Sequence, residues 1–308
     1  MIKVDLITGF LGSGKTTFIK KYANYLMRQG NKIGILENDF GAVNVDMMLL
    51  QELQGNSCYI ETVAGACDSD CHKRRFKTKL IAFGMGGYDR ILIEPSGIFD
   101  VDEFFDVLYE EPLDRWYESG SVIAIVDAKL ENNLSEQSEY LLASQTANAG
   151  KIILSKTQNA SSEEISDTVK HINSSLQKFR CKRQISGSEI LEKNWDDLTD
   201  EDFKIISESG HISENYVKAL SEDNGYSSYY YLNVKTTVEK LRENVGKIFG
   251  SCSGVFRIKG FIIENSQWYE LNATHNNTEV KPIENGQEII IVIGENMDKS
   301  KIDAYFEN

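Results

Sequence analysis

No stretch of eighteen consecutive apolar residues occurs in these 308 residues, so the sequence offers no candidate membrane-spanning helix. The opening Met-Ile-Lys-Val-Asp-Leu-Ile-Thr runs straight into a strand-like pattern, without the charged, apolar and cleavage regions of a secretory leader. A cytoplasmic protein is the expectation. Proline is scarce, with three residues at 95, 112 and 282, and no repeat or low-complexity tract occurs. Both features argue against long disordered linkers. The five cysteines, at 58, 67, 71, 181 and 252, are an odd number in a long chain. They read as thiols or metal ligands rather than as a disulfide framework. Basic residues are outnumbered, 33 Lys and Arg against 47 Asp and Glu, for a net charge of −14. That balance argues against nucleic-acid and anionic-membrane binding.

What is present is an ordinary globular balance, 41% hydrophobic and 26% charged, in a chain long enough for two domains. Short apolar runs at 2–8, 32–36, 89–94, 121–127 and 150–155 read as buried strands. Helical segments are expected at 15–29, 71–84, 100–109 and 135–148, the first from the spacing of Phe18, Ile19, Tyr22, Tyr25 and Leu26. Almost wholly apolar strands alternating with helices predict a mostly parallel sheet covered by helices on both faces.

Residues 156–225 are polar and acidic, with helical stretches near 161–178 and 199–207. Beyond Ser221–Ser228, rich in Ser, Asn and Gly, the pattern changes to a strand at 228–234 and a helix near 235–248. Strands at 254–263, 267–273 and 286–293 and a helix at 298–306 follow. The expected organisation is a larger α/β domain over 1–224 and a smaller α+β domain over 225–308.

Gly9-Phe10-Leu11-Gly12-Ser13-Gly14-Lys15-Thr16 fits the G-x-x-x-x-G-K-[ST] phosphate loop and lies between a strand and a helix. Its glycines let successive N–H groups turn toward phosphate oxygens, and the helix adds its positive N-terminal end. Lys15 is expected at the β- and γ-phosphates, and the Thr16 hydroxyl on Mg²⁺. Glu94-Pro95-Ser96-Gly97 follows the apolar Ile91-Leu92-Ile93. Glu94 stands where such enzymes hold Mg²⁺, directly or through water, and the Gly97 N–H is expected near the γ-phosphate. The chain therefore reads as a P-loop NTPase.

Three segments together narrow this further. Gly9–Thr17, Glu37-Asn38-Asp39-Phe40-Gly41 and Ile93-Glu94-Pro95-Ser96-Gly97 resemble those of the CobW-like GTPases, metallochaperone-type relatives of the nickel-enzyme accessory GTPases. Gly254-Val255-Phe256-Arg257-Ile258-Lys259-Gly260-Phe261 and Ile291-Val292-Ile293-Gly294 resemble the family's C-terminal domain. The resemblance implies a Mg²⁺-dependent protein that binds GTP and hydrolyses it slowly. Gly9, Gly12, Ser13, Gly14, Lys15, Thr16, Thr17 and Gly97 would hold the phosphates. The segment from Glu37 to Gly41 would be one switch, with Glu37 and Asp39 available to Mg²⁺ or to a transported metal. The Glu94 segment would be the second.

The sequence departs from the family pattern in two places. Members carry a Gly-Cys-x-Cys-Cys metal motif between the switches, whereas this chain reads Gly65-Ala66-Cys67-Asp68-Ser69-Asp70-Cys71-His72. On a helix, Cys67 and Cys71 would share a face. With His72, Asp68 or Asp70 they offer ligands for Zn²⁺, Co²⁺ or Ni²⁺, and Cys58 is close enough in sequence to join them. The second departure is in the base-reading segment. GTPases read guanine with Asn-Lys-x-Asp after a strand, and here Ser155-Lys156-Thr157-Gln158 stands in that place. Lys156 can cover the base, but Gln158 accepts without a charge, which weakens guanine preference.

The favoured function is a GTPase that couples nucleotide state to delivery of a transition metal or metallocofactor to a client metalloprotein. A nucleotide-dependent dimer is among the expected assemblies. The alternatives are a P-loop ATPase or small-molecule kinase with relaxed base specificity, and a binding module whose hydrolysis is vestigial.

Overall fold

The computed structural model describes residues 1–38, 49–63, 69–96, 101–131, 133–214, 216, 226–252, 254–275 and 277–306, with the backbone alone at 38, 69–72, 102–103 and 226. The chain divides into two compact units, Met1–Leu220 and Ser221–Asn308. The expected boundary at 224/225 falls outside the described residues.

In the first unit, β1 (Ile2–Thr8), β2 (Ile33–Asn38), β3 (Cys58–Val63), β4 (Arg90–Pro95), β5 (Tyr117–Asp127), β6 (Lys151–Ser155) and β7 (Ile190–Leu191) form one sheet. Its order is β3-β2-β4-β1-β5-β6-β7, and each pairing is parallel. The helices are α1 (Lys15–Arg28), α2 (Ser69–Gly84), α3 (Val101–Leu108), α4 (Glu136–Ala147), α5 (Ser162–Lys178) and α6 (Asp200–Ser207). The doubly covered parallel sheet expected from the apolar strands is present. Two strands escaped the sequence reading, β3 and the two-residue β7.

Alternation along the strands assigns their faces. Ile7, Ile33, Ile35, Leu92, Ile123, Ile125 and Ile153 pack with Phe18, Ile19 and Tyr22 of α1 and with Phe203 and Ile206 of α6. The other face receives α2. A Cβ added at Gly34 would lie 2.4 Å from the Phe83 ring, so glycine there admits the helix. A buried polar cluster fixes α1 on its own face. Tyr22 Oη donates to Asp5 Oδ2 at 2.8 Å, and Arg90 Nη1 donates to Tyr22 Oη at 3.0 Å. Arg90 Nη2 reaches the Ser207 carbonyl at 3.0 Å, which ties α6 to the same cluster. Burial raises the Asp5 pKa above the usual carboxylate range, against the opposing pull of the Arg90 guanidinium.

The second unit is an antiparallel sheet of β8 (Tyr226–Leu232), β9 (Val255–Glu264), β10 (Gln267–Thr274), β11 (Asn277–Ile283) and β12 (Ile289–Glu295), ordered β11-β10-β9-β12-β8. α7 (Val238–Ser251) and α8 (Lys299–Phe306) complete it. Leu241, Val245 and Ile248 of α7 pack with Ile258, Ile262, Leu271, Ile290 and Val292. The sequence reading missed β11. Gly260 has φ +155°, and a Cβ there would lie 2.0 Å from the Ile289 carbonyl oxygen. β9 and β12 approach too closely at that point for any side chain. Among the described residues, no helix is long and apolar enough to cross a membrane.

Candidate nucleotide site

The phosphate loop leaves β1 after Thr8 and enters α1 at Lys15. Gly9 sets its path. With φ +147°, a Cβ there would lie 2.2 Å from the Ile125 carbonyl oxygen, so the loop runs hard against β5. Gly14 occupies the N-cap of α1 in the left-handed region, and no side chain caps the helix. No acidic residue lies in its first turn. The first N–H groups of α1 thus face outward with the positive end of the helix behind them, an arrangement suited to an anion. The buried hydroxyl of Ser13, inside this loop, has no hydrogen-bond partner among the described residues. A phosphate oxygen is the acceptor this cradle fits. Lys15, also buried, lies across the loop with Nζ donating to the Gly9 carbonyl at 3.0 Å.

Beside the loop, Thr16 Oγ1 donates to Glu94 Oε1 at 2.7 Å. Glu94 ends β4 in register with Glu37 on β2, and Glu37 is in register with Thr62 on β3. Glu37 is 2% exposed and Glu94 4%, so two carboxylates stand side by side out of water. By alternation both lie on the α1 face, next to the threonine that opens the helix. Adjacent buried carboxylates repel unless a cation or proton joins them. With a hydroxyl between helix and strand, the set is all oxygen, the chemistry Mg²⁺ prefers.

The base-reading segment follows β6. Lys156 adopts φ +57°, and its Nζ meets Asp127 Oδ2 at 2.7 Å. Asp127 ends β5 in register with Ser155, and its Oδ1 accepts the Lys129 N–H at 2.9 Å. Lys156 is therefore held in place from the neighbouring strand. Gln158 lies in the single turn Thr157–Asn159 and is exposed. The strands beneath loop, carboxylates and base segment all present these groups at their carboxyl ends. β1 sits between β4 and β5, where successive crossovers run in opposite directions, the usual place for a ligand in an open α/β sheet.

A family profile described as "CobW/HypB/UreG, nucleotide-binding domain" matches residues 3–186. The chain belongs to the CobW/HypB/UreG family. Its sequence is 31% identical over 181 residues to the zinc chaperone YjiA of Escherichia coli K12, covering 56% of this chain and 55% of that one. It is 29% identical over 164 residues to the zinc chaperone YeiR of the same organism, covering 53% and 49%. Against the zinc-regulated GTPase metalloprotein activator 1 of Schizosaccharomyces pombe it is 25% identical over 190 residues, covering 60% and 45%. The chain spans about half the length of these relatives.

For a CobW-family chain, the remaining expected residues divide into two groups. Gly12, Thr17 and the loop residues above lie together at the start of α1. Asp39, Cys67 and Gly97 lie outside the described residues, as do the side chains of Cys71 and His72, whose backbones belong to α2. Among the described residues, no group of three or more His, Cys, Asp or Glu could hold a metal. β2, β3 and β4 end at Asn38, Val63 and Pro95, on the edge that carries the phosphate loop. Cys58 belongs to no metal-ligating group among the described residues. It is 1% exposed, begins β3 and packs in the α1-side core, about 17 Å of strand before Val63. Burial pushes its thiol up to about 11, which favours the protonated form at neutral pH.

Two residues escaped the sequence reading. Asp127 carried a signal, a carboxylate at the end of an apolar strand like that at Glu94. Trp195, whose indole N–H donates to the Leu154 carbonyl at 3.2 Å beneath the base segment, carried none, because that contact spans 41 positions of sequence.

Proposed function

We propose that this chain is a slow, Mg²⁺-dependent GTPase that acts as a metallochaperone, coupling nucleotide state to delivery of a transition metal to a client metalloprotein. The observation that carries the reading is the Thr16–Glu94 hydrogen bond with Glu37 in register beside it, at the mouth of an intact phosphate loop. Family membership supports nucleotide binding. The names of the relatives, two zinc chaperones and a zinc-regulated GTPase, favour Zn²⁺ as cargo over Co²⁺ or Ni²⁺. We read 225–308 as the CobW-type C-terminal domain and the protein as cytoplasmic.

In this reading Lys15 exchanges the Gly9 carbonyl for the β- and γ-phosphate oxygens, and the N–H groups opening α1 and the Ser13 hydroxyl take the rest of the negative charge. Thr16 and Glu94, with Glu37 or Asp39, would hold Mg²⁺, which would supply positive charge against the triphosphate. Lys156, steadied by Asp127, lies over the base, and Gln158 offers its amide oxygen to the base edge. The cargo would be carried by Cys67, Cys71 and His72, with Glu37 or Asp39 linking it to the nucleotide.

Gln158 favours one variation on this reading. An exposed neutral amide in place of a carboxylate discriminates guanine from adenine poorly, so ATP competes with GTP. Phosphate release by the full chain, measured with GTP and ATP in the presence of Mg²⁺ and of chelator, tests the proposal. Mg²⁺-dependent release that is lost in Glu94→Gln supports it. Release indifferent to Mg²⁺ and to Glu94 would contradict it.

A further inference from the structure

Past the end of β7 the sheet edge is continued by a side chain rather than by backbone. β7 pairs with β6 only at Ile152 and Ile153. The next carbonyl of β6, that of Leu154, accepts the indole N–H of Trp195 at 3.2 Å. Leu154 stands two residues before Lys156, so this bond anchors the base-reading segment.

The opposite edge of the same ring rests on the phosphate loop. A Cβ at Gly14 would lie 3.1 Å from Trp195 Cη2 and 3.3 Å from Cζ3. Gly14 immediately precedes Lys15. The ring also meets Phe18 of α1 edge-on, with centroids 5.7 Å apart and planes at 66°. One rigid side chain thus touches the loop that would hold the phosphates and the strand end that would present the base.

The loop bearing Trp195 is itself fastened along α1. Asp196 pairs with Lys21 at 2.9 Å and Asp200 with Arg28 at 2.6 Å. Lys193 pairs with Asp202 at 2.6 Å, and the Asn194 side chain accepts the Asp196 N–H at 3.2 Å. The two pairs with α1 are exposed and contribute little stability each. Their effect is to limit the positions the ring can take.

We propose that Trp195 is a positioning residue that couples the phosphate and base subsites, transmitting displacement of Gly14 to the β6 terminus and back. The inference rests on the nucleotide-binding reading above. Its consequence is a division of labour within one side chain. The six-membered ring supports the phosphate loop, and the N–H supports the base segment. Trp195→Phe keeps a ring against Gly14 but removes the donor to Leu154. Trp195→Ala removes both.

The test uses the full chain labelled with 5-fluorotryptophan, which gives one ¹⁹F resonance for each of Trp116, Trp195 and Trp268. The Trp195 signal is assigned by its loss in Trp195→Phe. Should that variant not fold, Trp116→Phe and Trp268→Phe assign it by elimination. GTP, ATP and inorganic tripolyphosphate are titrated, with calorimetry in parallel. The Trp195 resonance is expected to shift with all three, with midpoints matching the calorimetric ones. In Trp195→Phe, GTP affinity is expected to fall about three- to tenfold, the loss of one hydrogen bond. Tripolyphosphate affinity should change less than about twofold. A merely structural role would weaken both ligands equally. An unmoved Trp195 resonance while calorimetry shows GTP bound, or an equal loss for GTP and tripolyphosphate, would overturn the coupling and leave nucleotide binding standing. Absence of calorimetric binding of any nucleotide to the wild type would instead overturn the nucleotide reading, and the coupling with it.

Discussion

Thr16 on the first turn of α1 and Glu94 at the end of β4 are joined by a 2.7 Å hydrogen bond across 78 positions of sequence. The bond brings the phosphate loop and the second proposed switch to one point. Lys15, the residue next to Thr16, supplies the positive charge there. Lys15→Ala is expected to lower GTP affinity about 10- to 100-fold, in keeping with a hydrogen bond to a charged group. Calorimetric titration of GTP into wild type and variant checks this. Wild-type affinity in the variant would remove the loop from the binding site.

The base segment gives a prediction of the opposite sign. Gln158→Asp replaces a neutral acceptor with a charged one and should raise the ratio of GTP to ATP affinity by about tenfold. Competition between the two nucleotides in wild type and variant measures it. A strong wild-type preference that the substitution leaves unchanged would mean the base is read elsewhere.

How much of this was legible in the sequence depends on how buried each element is. Ile91-Leu92-Ile93 announces a strand because a central parallel strand is covered on both faces, and the five such runs were read correctly. β3 begins at a buried Cys58 but alternates through the exposed Tyr59, as suits the edge of the sheet. It was missed for that reason. β11 is also an edge strand and carries Lys281 and Pro282, residues that protect an edge and disguise it as a loop. The phosphate loop was legible because its chemistry is local, eight consecutive residues with fixed spacing. The Lys156–Asp127 pair and the span of Trp195 from Gly14 to Leu154 were not, because tertiary packing alone brings those residues together.

The loop bearing Trp195 leads into α6 through an acid-sensitive cap. Burial raises the pKa of Asp202, but the Lys193 ammonium and the Thr199 N–H and hydroxyl outweigh it and pull the value from 3.8 down to about 2. A depressed folded-state pKa adds stability above the ordinary carboxylate value, and this stability is lost as pH falls from there toward 2. Asp202→Asn should therefore cost about 1 kcal/mol at neutral pH, the size of a helix-cap loss, and progressively less below pH about 4. Urea unfolding at a series of pH values measures the difference. A pH-independent cost would show that the charge is not the cause.

The cysteines separate by burial. Cys58, Cys181 and Cys252 are buried thiols, and Cys58 in particular titrates only near 11. In native reduced protein at neutral pH, a thiol reagent should leave these three unmodified. We expect Cys67 and Cys71 to react, and Zn²⁺ to protect both. Mass mapping of the modified peptides checks the pattern. Protection of neither residue by Zn²⁺ would count against their role as ligands.

Cobalt titration of the reduced full chain, with and without a non-hydrolysable GTP analogue, joins metal and nucleotide in one observation. Thiolate ligands give Co²⁺ a charge-transfer absorption, and because they must lose protons its midpoint should move to lower metal concentration as pH rises. If nucleotide state governs cargo, the analogue shifts the Co²⁺ midpoint, and Co²⁺ shifts the analogue's affinity by the same factor. The expected result is a thiolate band that is absent in Cys67→Ser/Cys71→Ser and moves when the analogue is added. A missing band, a band that survives the double substitution, or a midpoint indifferent to the analogue would contradict a nucleotide-governed metallochaperone.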